Sequence, residues 1–162
     1  MTVQVVQESM IKKILWLAAI SVLASPFVHP FGPVRQQSAS SVPASVRWDD
    51  PRVSRLFERA CLDCHSERTH WPLYSYLPLL SWGFEKDVAD ARQMMDLSRW
   101  GQYSIGEKRG LIAGIGAVVQ SRQMPPPRYA LMHPDARLSD AEIQAIYDWT
   151  KSQGLALRSR RE

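Results

Sequence analysis

With 162 residues, 45% hydrophobic and 22% charged, the chain has the composition of an ordinary globular protein with room for one modest domain and flanking segments. Its net charge of +4 comes from the two ends: between Arg47 and Ala156 there are 14 Lys or Arg against 14 Asp or Glu, interspersed along the body. That balance excludes the basic face expected of a nucleic-acid binder, and two cysteines are too few for a disulfide framework.

The chain opens with residues 1–9, a short cytoplasmic extension or a misassigned start ahead of Met10. Lys12 and Lys13 then precede an apolar run from Ile14 that continues weakly to Val28, with no charged side chain before Arg35. A charged start followed by an apolar stretch has the form of an export signal or membrane anchor over residues 10–29. Its length approaches the about 17–25 residues of a span. Val22-Leu23-Ala24 could serve as a cleavage site, and an uncleaved anchor is the favoured outcome. The lysines stay on the cytoplasmic side, which places the body on the periplasmic side. Pro26, Pro30 and Pro33 end the apolar stretch, and residues 30–46, rich in Ser and Gln toward their end, form a linker.

The folded body is expected over 47–157, with 158–162 as a basic tail. Asp50-Pro51 forms a helix start, and Val53, Leu56, Phe57 and Ala60 follow at helical spacing up to Cys61. From Ser66 to Leu80 proline and aromatic residues predict a loop. Further helices are expected over Trp82–Met95 and Glu107–Gln120, the latter with glycines at 110, 114 and 116 that permit close approach of another surface. Met124-Pro-Pro-Pro127 interrupts any helix. Ser139-Asp-Ala-Glu142 is a capping box that opens a last helix with Ile143, Ile146, Tyr147 and Trp149 or Thr150 facing inward. No strand is evident, so the fold class is all-α: a small helical domain preceded by an N-terminal apolar helix.

Cys61-Leu-Asp-Cys64-His65 is a C-x-x-C-H sequence, the attachment signature for one covalent haem c. One helical turn separates the thiols, so both reach one edge of the porphyrin as thioethers. The next residue then turns its imidazole toward iron. Three rival readings are a thioredoxin-like redox pair, a structural zinc site and a simple disulfide. The first wants a βαβ context, and the second needs four ligands where no second cysteine pair exists.

Met124, 59 positions after His65, leads as the sixth iron ligand, because the prolines after it stiffen the loop that would present the thioether. Met132 is a weak alternative, His133 the second choice, and His70 an ordinary loop histidine. Met94 and Met95 are expected to pack inside a helix. Trp71, Tyr74, Tyr76, Trp82, Trp100, Tyr103 and Trp149 form the core, which is also the expected wall of the haem pocket. Trp71, Tyr74 and Arg122 (or Arg128) are candidates to contact the cofactor or its propionates. The second N–H of His65 should meet a backbone carbonyl, with Pro72 or Pro78 as suppliers.

Taken together, Cys61–Ser66, Thr69-His-Trp-Pro-Leu-Tyr-Ser75, Pro78, Trp82, Asp96–Trp100, Met124–Tyr129, His133–Ser139 and Trp149 resemble the bacterial haem-binding domain proteins, small exported relatives of c-type cytochromes. The resemblance covers roughly residues 48–150. It implies a cytochrome c-like helical fold with iron between His65 and Met124, behind a short N-terminal anchor. Leu73 and Asp96 depart from the pattern, where tryptophan and asparagine are common. The expected function is one-electron transfer with an unknown membrane redox partner, without catalysis. The alternatives are a haem peroxidase or gas sensor with a labile distal ligand, for which Arg122 and His133 flank Met124, and an accessory subunit of a respiratory complex.

Overall fold

In the computed structural model, which describes residues 2–31 and 50–159, every regular element is helical. In chain order these are α1 (Thr2–Ala24), α2 (Pro51–Ala60), α3 (Leu62–His65), α4 (Leu80–Met94), α5 (Ile105–Gln120), α6 (Pro127–Met132) and α7 (Asp140–Ser159), with 3-10 turns at 25–27, 73–76, 97–102 and 134–136. The expected all-α class holds. Residues 32–46 of the linker expected at 30–46 and residues 160–162 of the basic tail lie outside the described residues. The chain forms two compact units: one holds residues 2–31 and 71–90, the other 50–70 and 91–159.

In the first unit, α1 begins at Thr2 rather than at Met10, so residues 2–9 continue the same helix. Glu8, Lys12 and Lys13 fall in its first half. No helix among the described residues is long and apolar enough to cross a membrane. From Gln7 to Ala24 the helix is exposed throughout. Ser25, after its end, is fully buried. Its hydroxyl donates to Val22 O (2.8 Å) and accepts from Leu79 N (3.0 Å). Trp82 Nε1 donates to the carbonyls of Ser25 (2.8 Å) and Val28 (2.7 Å). The 66–80 stretch expected as loop contains the 3-10 turn of Leu73–Tyr76. Pro72 O caps that turn by accepting from Ser75 N and Ser75 Oγ.

The second unit has one apolar core. Val53, Leu56, Phe57 and Ala60 are buried, the face their spacing predicts. Asp50 accepts from Arg52 N at 2.7 Å and starts the helix. Phe57 meets Trp149 of α7 edge-on, with ring centroids 5.2 Å apart. Leu97, Trp100, Ile112, Ile115, Val119 and Ile146 complete the centre. The capping box expected at Ser139 forms with Glu142, and a second, unexpected one joins Ser104 to Glu107 at the start of α5. Arg59, at the end of α2, donates to the carbonyls of Asp135 and Arg137 and pairs with Glu142. One guanidinium thus ties α2 to the turn before α7 and to α7 itself.

Helix α5 packs along α7, and Gly116 makes that approach possible. A Cβ there would stand 2.7 Å from Thr150 Oγ1, well inside normal contact distance. Gly110 and Gly114 differ: an added Cβ meets nothing within 4 Å at either position. They face open space on another side of α5, and that space is the site.

Candidate functional site

The site is built outward from the end of α2. Cys61 closes that helix by donating its N–H to Phe57 O at 2.9 Å. The chain then makes one further turn, α3. Cys64 N (3.2 Å) and His65 N (2.9 Å) both donate to Cys61 O. Leu62 is buried and pins this turn to the core. Both cysteines and the histidine are thereby set by one turn of backbone, as the motif spacing requires. No disulfide joins Cys61 and Cys64.

The orientation of His65 has one clear cause. Its Nδ1 lies 3.0 Å from Met95 O. A carbonyl can only accept, so Nδ1 carries the proton and Nε2 is left with the lone pair that a metal ligand needs. This corrects the expectation that Pro72 or Pro78 supplies the acceptor. Pro72 O serves Ser75, and Pro78 O accepts from Leu80 N. Met95 sits one residue past α4, where the helix end frees a carbonyl, and its side chain is buried. Burial lowers the His65 pKa against the opposing hydrogen bonds to Met95 and Ala91 and the charge of Asp96. The ring is held neutral, the form in which imidazole ligates. Burial, with Cys64 beside it, pushes the Cys61 thiol up to about 12 although Arg59 acts the other way. A dithiol redox pair wants the reverse shift.

Cys61 and His65 line an apolar cavity of about 180 Å³ together with Phe57, Met95, Gly110, Gly114 and Met124. Met94 also lines it and is 71% exposed, so the cavity reaches the surface there. Met94 is therefore not the packing residue expected, whereas Met95 is. Met124 enters from the far side of α5. Arg122 ends that helix with φ 56°, and Gln123 N and Met124 N then turn back to Val118 O at 2.9 and 3.2 Å. The imidazole and the thioether predicted as ligands thus share one cavity. The glycines leave a smooth wall that any Cβ would narrow.

Other predicted residues have partners of their own. Trp71 and Tyr74 belong to the first unit, where each packs edge-on against Phe84 at 5.5 and 5.7 Å. The side chain of Arg122 is 61% exposed and pairs with Asp140. His133 stacks on Tyr129 with centroids 4.1 Å apart, and His70 pairs with Asp63 at 2.9 Å. Arg122, His133 and His70 do not line the cavity.

Sequence reasoning missed Asp63, inside the motif itself. Its Oδ1 accepts from His70 N at 3.0 Å, and its Oδ2 accepts from Tyr129 OH at 3.2 Å. Tyr129 lies in α6, five residues after Met124, so this carboxylate ties the motif turn to the helix that follows the methionine loop. Arg92 was also missed. It donates to Ser66 O and Thr69 Oγ1, both at 2.9 Å, and holds the strand leaving the motif. An acid within C-x-x-C-H was the only signal available for the first, and none pointed to the second.

These residues fit the haem that the motif implies. The Cys61 thiol, a neutral imidazole with Nε2 unprotonated and a thioether meet at an apolar cavity whose wall carries two glycines with open space before them, and Cys64 stands on the same turn as Cys61. The enclosed volume of about 180 Å³ is below the about 300–1,000 Å³ of a typical ligand site, so a bound haem would also need the open mouth at Met94.

A family model described as a haem-binding domain matches residues 20–152. Among curated proteins the chain is similar to cytochrome c peroxidase Ccp of Escherichia coli strain K12, 25% identical over 122 residues, which cover 74% of this chain and 26% of that protein. The chain thus corresponds to about a quarter of that relative's length. No solved structure matches.

Proposed function

The chain belongs to the haem-binding domain family, and from that membership and the geometry of its cavity we propose that it carries one covalent haem c and transfers single electrons on the periplasmic side of a bacterial membrane. The observation that carries this reading is the shared cavity of Cys61, His65 and Met124. Cys61 and Cys64 would hold the ring by thioether bonds, each S–H adding across one vinyl double bond with no net oxidation, and His65 and Met124 would ligate the iron. A haem bound there supplies one-electron exchange between ferric and ferrous iron.

The chain's own residues do the rest. Met95 O keeps the proton on Nδ1, so Nε2 is free to ligate a metal. Phe57, Leu111, Ile115 and Val118 make the cavity apolar, which would favour the less charged ferrous state of a bound haem. Met94 marks the open side, where a donor or acceptor protein would approach.

Export is part of the proposal. Covalent attachment needs reduced thiols and haem together outside the cytoplasm, and Lys12-Lys13 followed by the apolar half of α1 supplies the signal. Exposed Leu15, Trp16, Leu17 and Leu23 allow this helix to associate with the membrane.

A second reading, peroxidase chemistry, is favoured by the similarity to a cytochrome c peroxidase. It requires a distal acid–base pair. The side chains proposed for that role, Arg122 and His133, are engaged with Asp140 and Tyr129. The cavity lining contains no histidine besides His65 and no arginine.

The test is the optical spectrum of the haem-loaded protein beside Met124→Ala. A low-spin spectrum that becomes high-spin in the variant supports electron transfer. A high-spin spectrum in the unsubstituted protein, with rapid reaction with peroxide, supports the peroxidase reading instead.

A further inference from the structure

A second cavity, of about 510 Å³, lies on the opposite side of α5 from the haem-facing glycines, in the cleft between α5 and α7. Its volume falls within the about 300–1,000 Å³ of small-molecule sites. Tyr147, Lys151, Gly154, Leu155 and Arg158 recur at helical spacing on α7, and Arg109 faces them from α5. The lining includes three cations and no Asp or Glu, although the body of the chain is neutral. None of the three is in an ion pair among the described residues. Lys151 Nζ instead lies 4.5 Å over the Tyr147 ring.

Arg109 is the unusual member. Its Nε and Nη2 are buried and have no hydrogen-bond partner among the described residues. Guanidinium cannot shed its charge, and leaving its donors unmet is costly. Nε and Nη2 form one edge of the fork, the edge that meets a carboxylate with two parallel hydrogen bonds. The other walls of the cavity are largely apolar: Ile112, Ala113, Leu155 and the Tyr147 ring. A bare oxyanion would satisfy the arginine and leave these walls wet. A hydrocarbon would cover the walls and leave the arginine unmet.

We propose that the cleft between α5 and α7 binds an organic acid, a carboxylate carried on an apolar body, with the carboxylate on the Nε–Nη2 edge of Arg109 and the body along Tyr147 and Leu155. Lys151 and Arg158 add attraction at the rim, where salt screens it. The site is separate from the haem cavity and does not depend on what the haem does.

The test uses the full haem-loaded chain and isothermal titration with three probes: 1-naphthoate, the neutral alcohol 1-naphthylmethanol and inorganic phosphate. Naphthoate is expected to bind at one site, at least tenfold more tightly than either of the others. Arg109→Gln should weaken naphthoate at least tenfold. Gly154 provides the second variant, because a Cβ there meets nothing within 4 Å. Gly154→Met keeps the helix, fills the cleft and should abolish binding, with helicity and melting temperature preserved. Equal binding of the alcohol would make this a purely apolar pocket, and equal binding of phosphate a bare oxyanion site. Either result overturns the proposal, as does naphthoate binding that Arg109→Gln or Gly154→Met leaves unchanged, or no naphthoate binding at all.

Discussion

Replacing Gly114 and Gly116 by alanine, one at a time, makes the same covalent change two positions apart on α5, and the expected outcomes have opposite sign. In a helix interior, Gly→Ala contributes about 1 kcal/mol of stability through backbone entropy. At Gly114 nothing opposes this, since the new methyl meets no atom within 4 Å. At Gly116 the methyl arrives 2.7 Å from Thr150 Oγ1. Thr150 is buried, and its hydroxyl donates to Tyr147 O at 2.7 Å. Moving it forfeits about 1 kcal/mol of hydrogen bond and adds about 1–3 kcal/mol of overpacking. The net expectation is a gain of about 1 kcal/mol for Gly114→Ala and a loss of about 1–3 kcal/mol for Gly116→Ala. At about 4–8 °C per kcal/mol for a domain of this size, the two melting temperatures should differ by roughly 10 °C or more. Thermal unfolding of the haem-free chain, followed by circular dichroism, measures this directly. Loading with haem adds a functional arm. Gly114 lines the haem cavity, so Gly114→Leu should cut haem incorporation although the haem-free helix accepts it. Equal stability of the two alanine variants, or full haem loading of Gly114→Leu, would refute the assignment of the two faces of α5.

Glu142→Gln should cost about 1 kcal/mol at neutral pH, because the carboxylate caps α7 through Ser139 and meets Arg59. The Ser139 backbone hydrogen bond is the main cause that holds its pKa below the usual carboxylate range. The contribution is therefore complete above the unfolded value of about 4.3 and is lost as pH falls through the folded value. Urea midpoints for the two proteins should converge in acid, and a gap that persists there would contradict this. Asp63→Ala should destabilise by about 1 kcal/mol, since it removes the acceptor shared by Tyr129 OH and His70 N. Tyr129→Phe in that background should cost little more, and full additivity in a double-mutant cycle would argue against the shared carboxylate. Met94→Ala, at the cavity mouth, should leave fold stability within about 0.5 kcal/mol and change the electron-exchange rate with small redox reagents. An unchanged rate would remove Met94 from the exposed edge.

What could be read from the chain follows from where each signal resides. The apolar spacing of α2, the capping box at Ser139 and the turn that joins Cys61 to His65 are local, so residue type and spacing carry them. Met124 was legible because three prolines follow it. The acceptor for His65 was not, because it is the backbone carbonyl of Met95, and any residue type could supply it. Arg122 looked suited to a buried carboxylate, yet it terminates α5 in the left-handed region and its side chain reaches Asp140. Trp71 and Tyr74 pack on Phe84 within the first unit, a contact that aromatic composition alone does not specify. The glycines of α5 pointed to close approach without saying of what: Gly116 faces α7, whereas Gly110 and Gly114 face the cavity.

The central claim is that Cys61 and Cys64 hold a haem covalently. The most direct measurement is extraction of the purified, haem-loaded protein with acidified organic solvent, beside Cys61→Ser, Cys64→Ser and the double variant. The haem should remain with the polypeptide when both cysteines are present and pass into the solvent from the double variant. Haem that leaves the unsubstituted chain as readily as the double variant would contradict covalent attachment.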